Sequence, residues 1–172
     1  MLQQTNQLME HNNEIKAVVE RVKAQLAEFY NGDPWVTDNF KEKVLSIEAG
    51  AALKKIQGHN HSVAQLVGHI TAWRNFALQK LTGNDSYDIR DDAIADWPEP
   101  NDWKVICTEF EVCHQNLLAA IEGFPVDHWN SRVAGRNYSF LYLINGITQH
   151  DYYHYGQIGS VLAAIKKLRD AS

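Results

Sequence analysis

Three histidines have the spacing most suited to chemistry. His150 and His154 stand four residues apart, so on a helix they share a face about one turn apart. Ile147 lies three residues before His150 and Ile158 four after His154, which places both imidazoles on the apolar face. His69 follows Leu66 by three and precedes Trp73 by four, on a second apolar stripe. Imidazoles turned toward an interior need partners, because a buried polar ring without them is costly. They are either hydrogen-bonded core residues or ligands of a shared cation. Three neutral imidazoles suit zinc, nickel, copper or iron and leave coordination positions open, the mark of a catalytic rather than a structural site. An ion so held would lower the pKa of a bound water or thiol, or polarise a substrate oxygen.

The neighbours of these histidines have two readings each. Trp73 is either a core anchor or a wall of a site near His69. Asp151 and Gln157 are either polar residues at a helix seam or the groups that hold a ring nitrogen or a bound water. The run from His150 to His154, HDYYH, is similar to the H-E-x-x-H of zinc peptidases with Asp in place of the general-base Glu. Asp is a methylene shorter, and the only acid downstream is Asp170, so a peptidase is poorly supported. His59 and His61 read as solvent-facing or loop-packing residues that could also line the mouth of a pocket, His114 borders a stripe in a core or interface role, and His128 falls in a loop. Cys113 fits a core position better than a nucleophile. No phosphate loop, dinucleotide fingerprint or Ser/His/Asp order is present.

Four amphipathic stretches must position these residues. Leu8, Ile15, Val18, Val19, Val22, Leu26 and Phe29 predict a helix over 5–30, stopped by Gly32 and Pro34. Weaker patterns predict short helices around Phe40, Val44 and Ile47 and around Ala52 and Ile56. Ser62 and Gln65 form a capping-box signature that opens a second long helix, ending at Thr82-Gly83-Asn84. The acidic stretch 85–101, with Pro98 and Pro100, reads as a long solvated surface loop. A third helix is predicted over 102–121, an irregular segment or short hairpin around Gly135 over 126–138, and the longest helix over 139–168. No stretch alternates with period two, so the chain is predicted to be an all-α four-helix bundle forming one domain over 1–172.

Composition limits the partners. Sixteen Lys and Arg against 21 Asp and Glu leave a net charge of −5, which argues against nucleic acid, where clustered cations are needed. The basic cluster Lys166, Lys167 and Arg169 is placed to cap a helix C-terminus. Cys107 and Cys113 are six apart on a predicted helix and face different ways, so they read as free thiols. No apolar run is long enough for a membrane span, and the polar first residues lack a signal-peptide pattern. A cytoplasmic protein with no membrane partner is expected.

Taken together, these motifs resemble a known family. The run HSVAQLVGHITAWR from His61 to Arg74 resembles the second helix of the DinB-like (YfiT-like) metalloenzyme superfamily. QHDYYHYGQI from Gln149 to Ile158 resembles its last helix, with the H-x-x-x-H-x-G-Q pattern. Gly32-Asp-Pro-Trp35 and the lead from Gly135 to Ser139 also fit. The similarly named translesion polymerase is a different protein, and the acidic charge agrees. The resemblance implies an up-down-down-up four-helix bundle, frequent homodimers, and a divalent metal, nickel or zinc, on His69, His150 and His154. It further implies thiol S-transferase-like chemistry with a low-molecular-weight thiol such as bacillithiol or mycothiol, thiol-dependent isomerisation, or hydrolase-like chemistry on a small molecule. A non-catalytic metal-binding or stress-response module is the alternative of another class.

Overall fold

The computed structural model of the chain describes residues 2–36, 38–89, 93–100 and 102–171, the side chains of residues 2, 4, 5, 8, 93 and 94 excepted. The first apolar stripe winds α1, Leu2–Asn31, which buries Ile15, Val19, Val22, Leu26 and Phe29. The side chain of Leu8, predicted in that stripe, lies outside those described. A π-helical turn, Lys41–Leu45, and a single-turn helix α2, Ala49–Ala52, occupy the next connection. Helix α3, Val63–Leu81, opens on the predicted capping box: Ser62 Oγ accepts from the Gln65 N–H at 3.2 Å, and Gln65 Oε1 accepts from the Ser62 N–H at 3.1 Å. A short α4, Ala93–Asp96, precedes α5, Trp103–Gly123, which is capped by Asp102. Helix α6, Phe140–Asp170, starts on Ser139, with Lys167 and Arg169 in its last turn.

Core membership fixes the helix directions. At one end of the bundle, Phe29 of late α1 packs with Val63 and Val67 of early α3, Ile106 and Phe110 of early α5, and Tyr155 and Ile158 of late α6. At the other end, Val22 of α1 meets Phe76 and Leu81 of late α3, Leu117 and Ile121 of late α5, and Ile144 and Ile147 of early α6. Helices α1 and α6 therefore run one way and α3 and α5 the other, giving up-down-down-up. Within each pair the helices are neighbours, α1 with α6 and α3 with α5, and across the pairs α3 packs on α6 and α1 on α5. Burial drives this assembly: Phe29, Phe40, Phe76 and Phe110 are all at most 1 % exposed, and each truncation to Ala would cost about 3–5 kcal/mol.

Because α3 and α5 are parallel neighbours, the chain between them must travel back along the bundle. That return places the stretch predicted as a solvated loop against α3. Asp85 and Ser86 are exposed, but Ile89 is fully buried, and residues 95–98 lie half-buried on the helix. Gly68 makes this possible, since a Cβ there would meet Pro98 Cγ at 3.1 Å. Residues 90–92 and Asn101 of that predicted loop lie outside the described ones. The 126–138 segment has a 3₁₀ turn, Val126–His128, and a bridge between Arg132 and Ser139 closed by Gly135 at φ +71°. Among the described residues there is no named strand, and no helix is long and apolar enough to cross a membrane.

Candidate metal centre

Helices α3 and α6 are antiparallel neighbours, so His69 from one meets His150 and His154 from the other. One nitrogen from each of the three rings lies within 4.8 Å of the other two. His150 Nε2 and His69 Nε2 are 3.0 Å apart. His69 and His154 are buried and His150 half-buried, as the apolar-face spacing predicts.

The remaining ring nitrogens decide what the cluster presents. His69 Nδ1–H donates to the Asp96 carbonyl at 2.8 Å and lies 3.2 Å from the Asp96 carboxylate. That carboxylate is itself held by the Trp73 indole N–H at 2.8 Å. His154 Nδ1–H donates to Gln157 Oε1 at 2.7 Å. With Nδ1 protonated, Nε2 of both rings carries the lone pair. His150 Nδ1 is buried without a hydrogen-bond partner among the described residues. Trp97 lies flat on His69, with ring centroids 3.8 Å apart and an interplanar angle of 9°, and His61 stacks on the other face of Trp97 at 3.8 Å.

Electrostatics keep the three rings neutral. Burial pushes His150 down to about 3, and the neighbouring His154, His69 and Arg74 add to the depression. Burial also lowers His69 and His154, with Asp96 and Gln157 respectively opposing it. One residue further along α6, Asp151 is fully buried and ion-paired with Arg74, at 3.0 Å from Nε and 2.8 Å from Nη2. Arg74 also bonds His114 Nδ1 at 2.8 Å and lies over the Phe110 ring at 4.6 Å. Burial holds His114 down at about 3 and pushes the Asp151 carboxyl up, Arg74 partly countering the latter.

Among the residues singled out by spacing, the fold thus brings His69, His150 and His154 together, with Trp73 and Gln157 one contact behind them. Asp151 sits further back, its hydrogen bonds directed to Arg74. Asp96 and Trp97 were not singled out, because their stretch has no helical periodicity to mark an inward face. Arg74 was passed over as well, although its place five residues after His69 was readable. A cavity of about 370 Å³ adjoins the cluster, lined by His59, His61, Trp97, Tyr153, His154 and Gln157 among others.

The donor set fits a divalent ion of borderline softness. Facing lone pairs 3.0 Å apart are unfavourable unless a proton or a cation lies between them. Nitrogens about 2.0–2.1 Å from zinc stand roughly 3.3 Å apart in a tetrahedral site; here one pair is 3.0 Å apart and all three lie within 4.8 Å of one another, so side-chain adjustment alone would close the set. The fold and this cluster define a class: a helical bundle with an inward three-imidazole set shared by two antiparallel helices. The family model of the DinB superfamily matches residues 35–158, which include all three histidines, and the chain belongs to that superfamily. No curated protein and no solved structure matches the chain.

Proposed function

We propose that the protein is a divalent-metal-dependent enzyme acting on a small molecule, with His69, His150 and His154 as ligands and nickel or zinc as the ion. The observation that carries this reading is the convergence of three ligand nitrogens, two of them on rings whose Nδ1–H is already engaged elsewhere. When bound, such a cation supplies Lewis acidity that lowers the pKa of a thiol or water at an open position. Asp96 and Gln157 fix the ring tautomers, and Trp97 shields one face of His69 from water. Three neutral ligands bring no negative charge, so the site stays electrophilic. Cys107 and Cys113 are both pushed up to about 11 by burial, so the chain offers no ready thiolate of its own. A thiol nucleophile must then be exogenous, which fits transfer of a low-molecular-weight thiol to an electrophile; hydrolysis of an acyl group uses the same site.

The direct test is His150→Ala with elemental analysis of purified protein. Loss of nickel or zinc to background is expected, and unchanged metal content would overturn the ligand set. Thiol-dependent consumption of chlorodinitrobenzene that stops with chelator is the expected sign of transfer. Consumption of an ester but not of chlorodinitrobenzene would favour the hydrolase.

A further inference from the structure

We infer that the end of the bundle remote from the histidines binds a small organic monoanion, a carboxylate on an apolar body, through Lys80 and Arg132. Three Lys or Arg side chains are buried among the described residues: Arg74, Lys80 and Arg136. Arg74 is paired with Asp151 and Arg136 with Asp88. Lys80, at 2 % exposure, has no carboxylate partner among the described residues. Its Nζ donates to the Asp85 carbonyl at 2.6 Å and lies over the Phe76 ring, 5.6 Å from the centroid. That carbonyl takes one of three ammonium hydrogens, and a buried charge without an opposite one is costly. The end of α3 does not account for Lys80, because the carbonyls of Leu78, Gln79 and Lys80 already accept from the N–H groups of Thr82, Asn84 and Gly83.

Lys80 lines a cavity of about 680 Å³ between the ends of α3 and α5, the 128–134 segment and the start of α6. This is within the roughly 300–1,000 Å³ of small-molecule sites. It shares no lining residue with the cavity beside His154, and Lys80 lies about 16 Å beyond His69 along α3. Arg132 lines the same space. Its Nε donates to the Arg136 carbonyl at 2.6 Å, which fixes the guanidinium and leaves both Nη groups for a two-pronged contact with a carboxylate. Asp85 is the acidic residue of the lining; it is exposed and ion-paired with neither cation among the described residues. Two cations against one carboxylate leave a single positive charge, which matches a monoanion. His128, also in the lining, adds a ring N–H that suits an anion in either protonation state. The negative ends of α3 and α5 are partly offset by the positive end of α6, so the side chains set the sign. Phe124, Pro125 and Phe140 supply an apolar wall, which favours a ligand with an aromatic or aliphatic body over inorganic phosphate.

The test titrates benzoate, benzyl alcohol, benzylamine and inorganic phosphate into ¹⁵N-labelled protein. Benzoate should bind with a Kd of about 1 mM or tighter, as befits so small a ligand. Its amide shifts should concentrate at residues 80–85, 120–134 and 140. The other three probes should each bind at least about tenfold more weakly. Lys80→Met should weaken benzoate at least about tenfold and Arg132→Gln about three- to tenfold. Arg132 is exposed, so Arg132→Gln decides the matter should Lys80→Met fail to fold. Shifts confined to residues 58–61 and 150–157 would put benzoate at the histidine cluster and overturn the inference. So would another probe binding as tightly as benzoate, no saturation below about 10 mM, or full affinity in either folded variant.

Discussion

Two buried polar groups sit side by side on α6, and they are built in opposite ways. Asp151 turns to Arg74, which also holds His114, a charged pair sealed under Phe29 and Phe110 with nearly no exposure. His150 and His154 turn to His69, neutral rings beside an open cavity, one of them with an unpartnered nitrogen. The sealed group pairs its carboxylate with a guanidinium of the same chain, through Oδ2 and with Oδ1 left over among the described residues, whereas the open one turns three neutral ring nitrogens toward one point. Stability should therefore depend on the first and ligand binding on the second.

Breaking the sealed pair should have the largest effect. Asp151→Asn or Arg74→Met leaves one buried group uncompensated and should destabilise by about 3–5 kcal/mol in denaturant melts. Replacing both partners with apolar residues should recover much of that loss. In metal-free protein, His150→Ala should cost under about 2 kcal/mol, since it removes a half-buried ring that already lacks one partner. If His150→Ala proved as destabilising as Asp151→Asn, the contrast between the two groups would fail.

Metal should stabilise only through the open group. Zinc at a hundredfold excess over its Kd should add about 2.7 kcal/mol to wild-type stability and nothing to His69→Ala. A shift of equal size in both would place the ion elsewhere. Acid probes both groups together. His114 in the sealed group and His150 in the open one are each held at about 3 against an ordinary 6.5, so the unfolded chain binds their protons first. Stability from this burial is complete above about pH 6.5 and is lost as pH falls toward 3. Asp151, shifted upward, works in the opposite sense and softens the fall. A melting temperature flat between those pH values would refute the assignment.

A further effect, confined to metal affinity, sharpens the site itself. Asp96→Ala should weaken zinc binding about 10–100-fold by freeing the His69 ring, with little change in the metal-free melting temperature. Isothermal titration with a competing chelator measures it, and wild-type affinity would remove Asp96 from the site.

How far these features were readable from sequence follows from what each depends on. Periodicity and caps are local, so Ser62 with Gln65, the four long stripes and the inward faces of His69, His150 and His154 could all be read. The four directions followed only through family resemblance, and core contacts supply the physical reason. The strap of Asp96, Trp97 and Pro98 was not readable as part of a site. Its burial depends on a crossover between parallel helices and on the small profile of Gly68, neither of which leaves a periodic mark. Trp73 was readable as a wall near His69, but its bond to Asp96 was not, because the partner comes from that strap. Asp151 looked equivalent to Gln157 in sequence. The two separate in the fold because six positions, about 600° of helix rotation, separate them, so Asp151 faces Arg74 while Gln157 stays beside His154.

The central claim is that two antiparallel helices hold one cation with three imidazoles. Diffraction from crystals of protein purified without chelator, recorded above and below the zinc and nickel edges, tests it most directly. A single anomalous peak enclosed by Nε2 of His69, His150 and His154 is the expected result. Rings hydrogen-bonded to one another with no peak between them, after soaking in either metal, would contradict it.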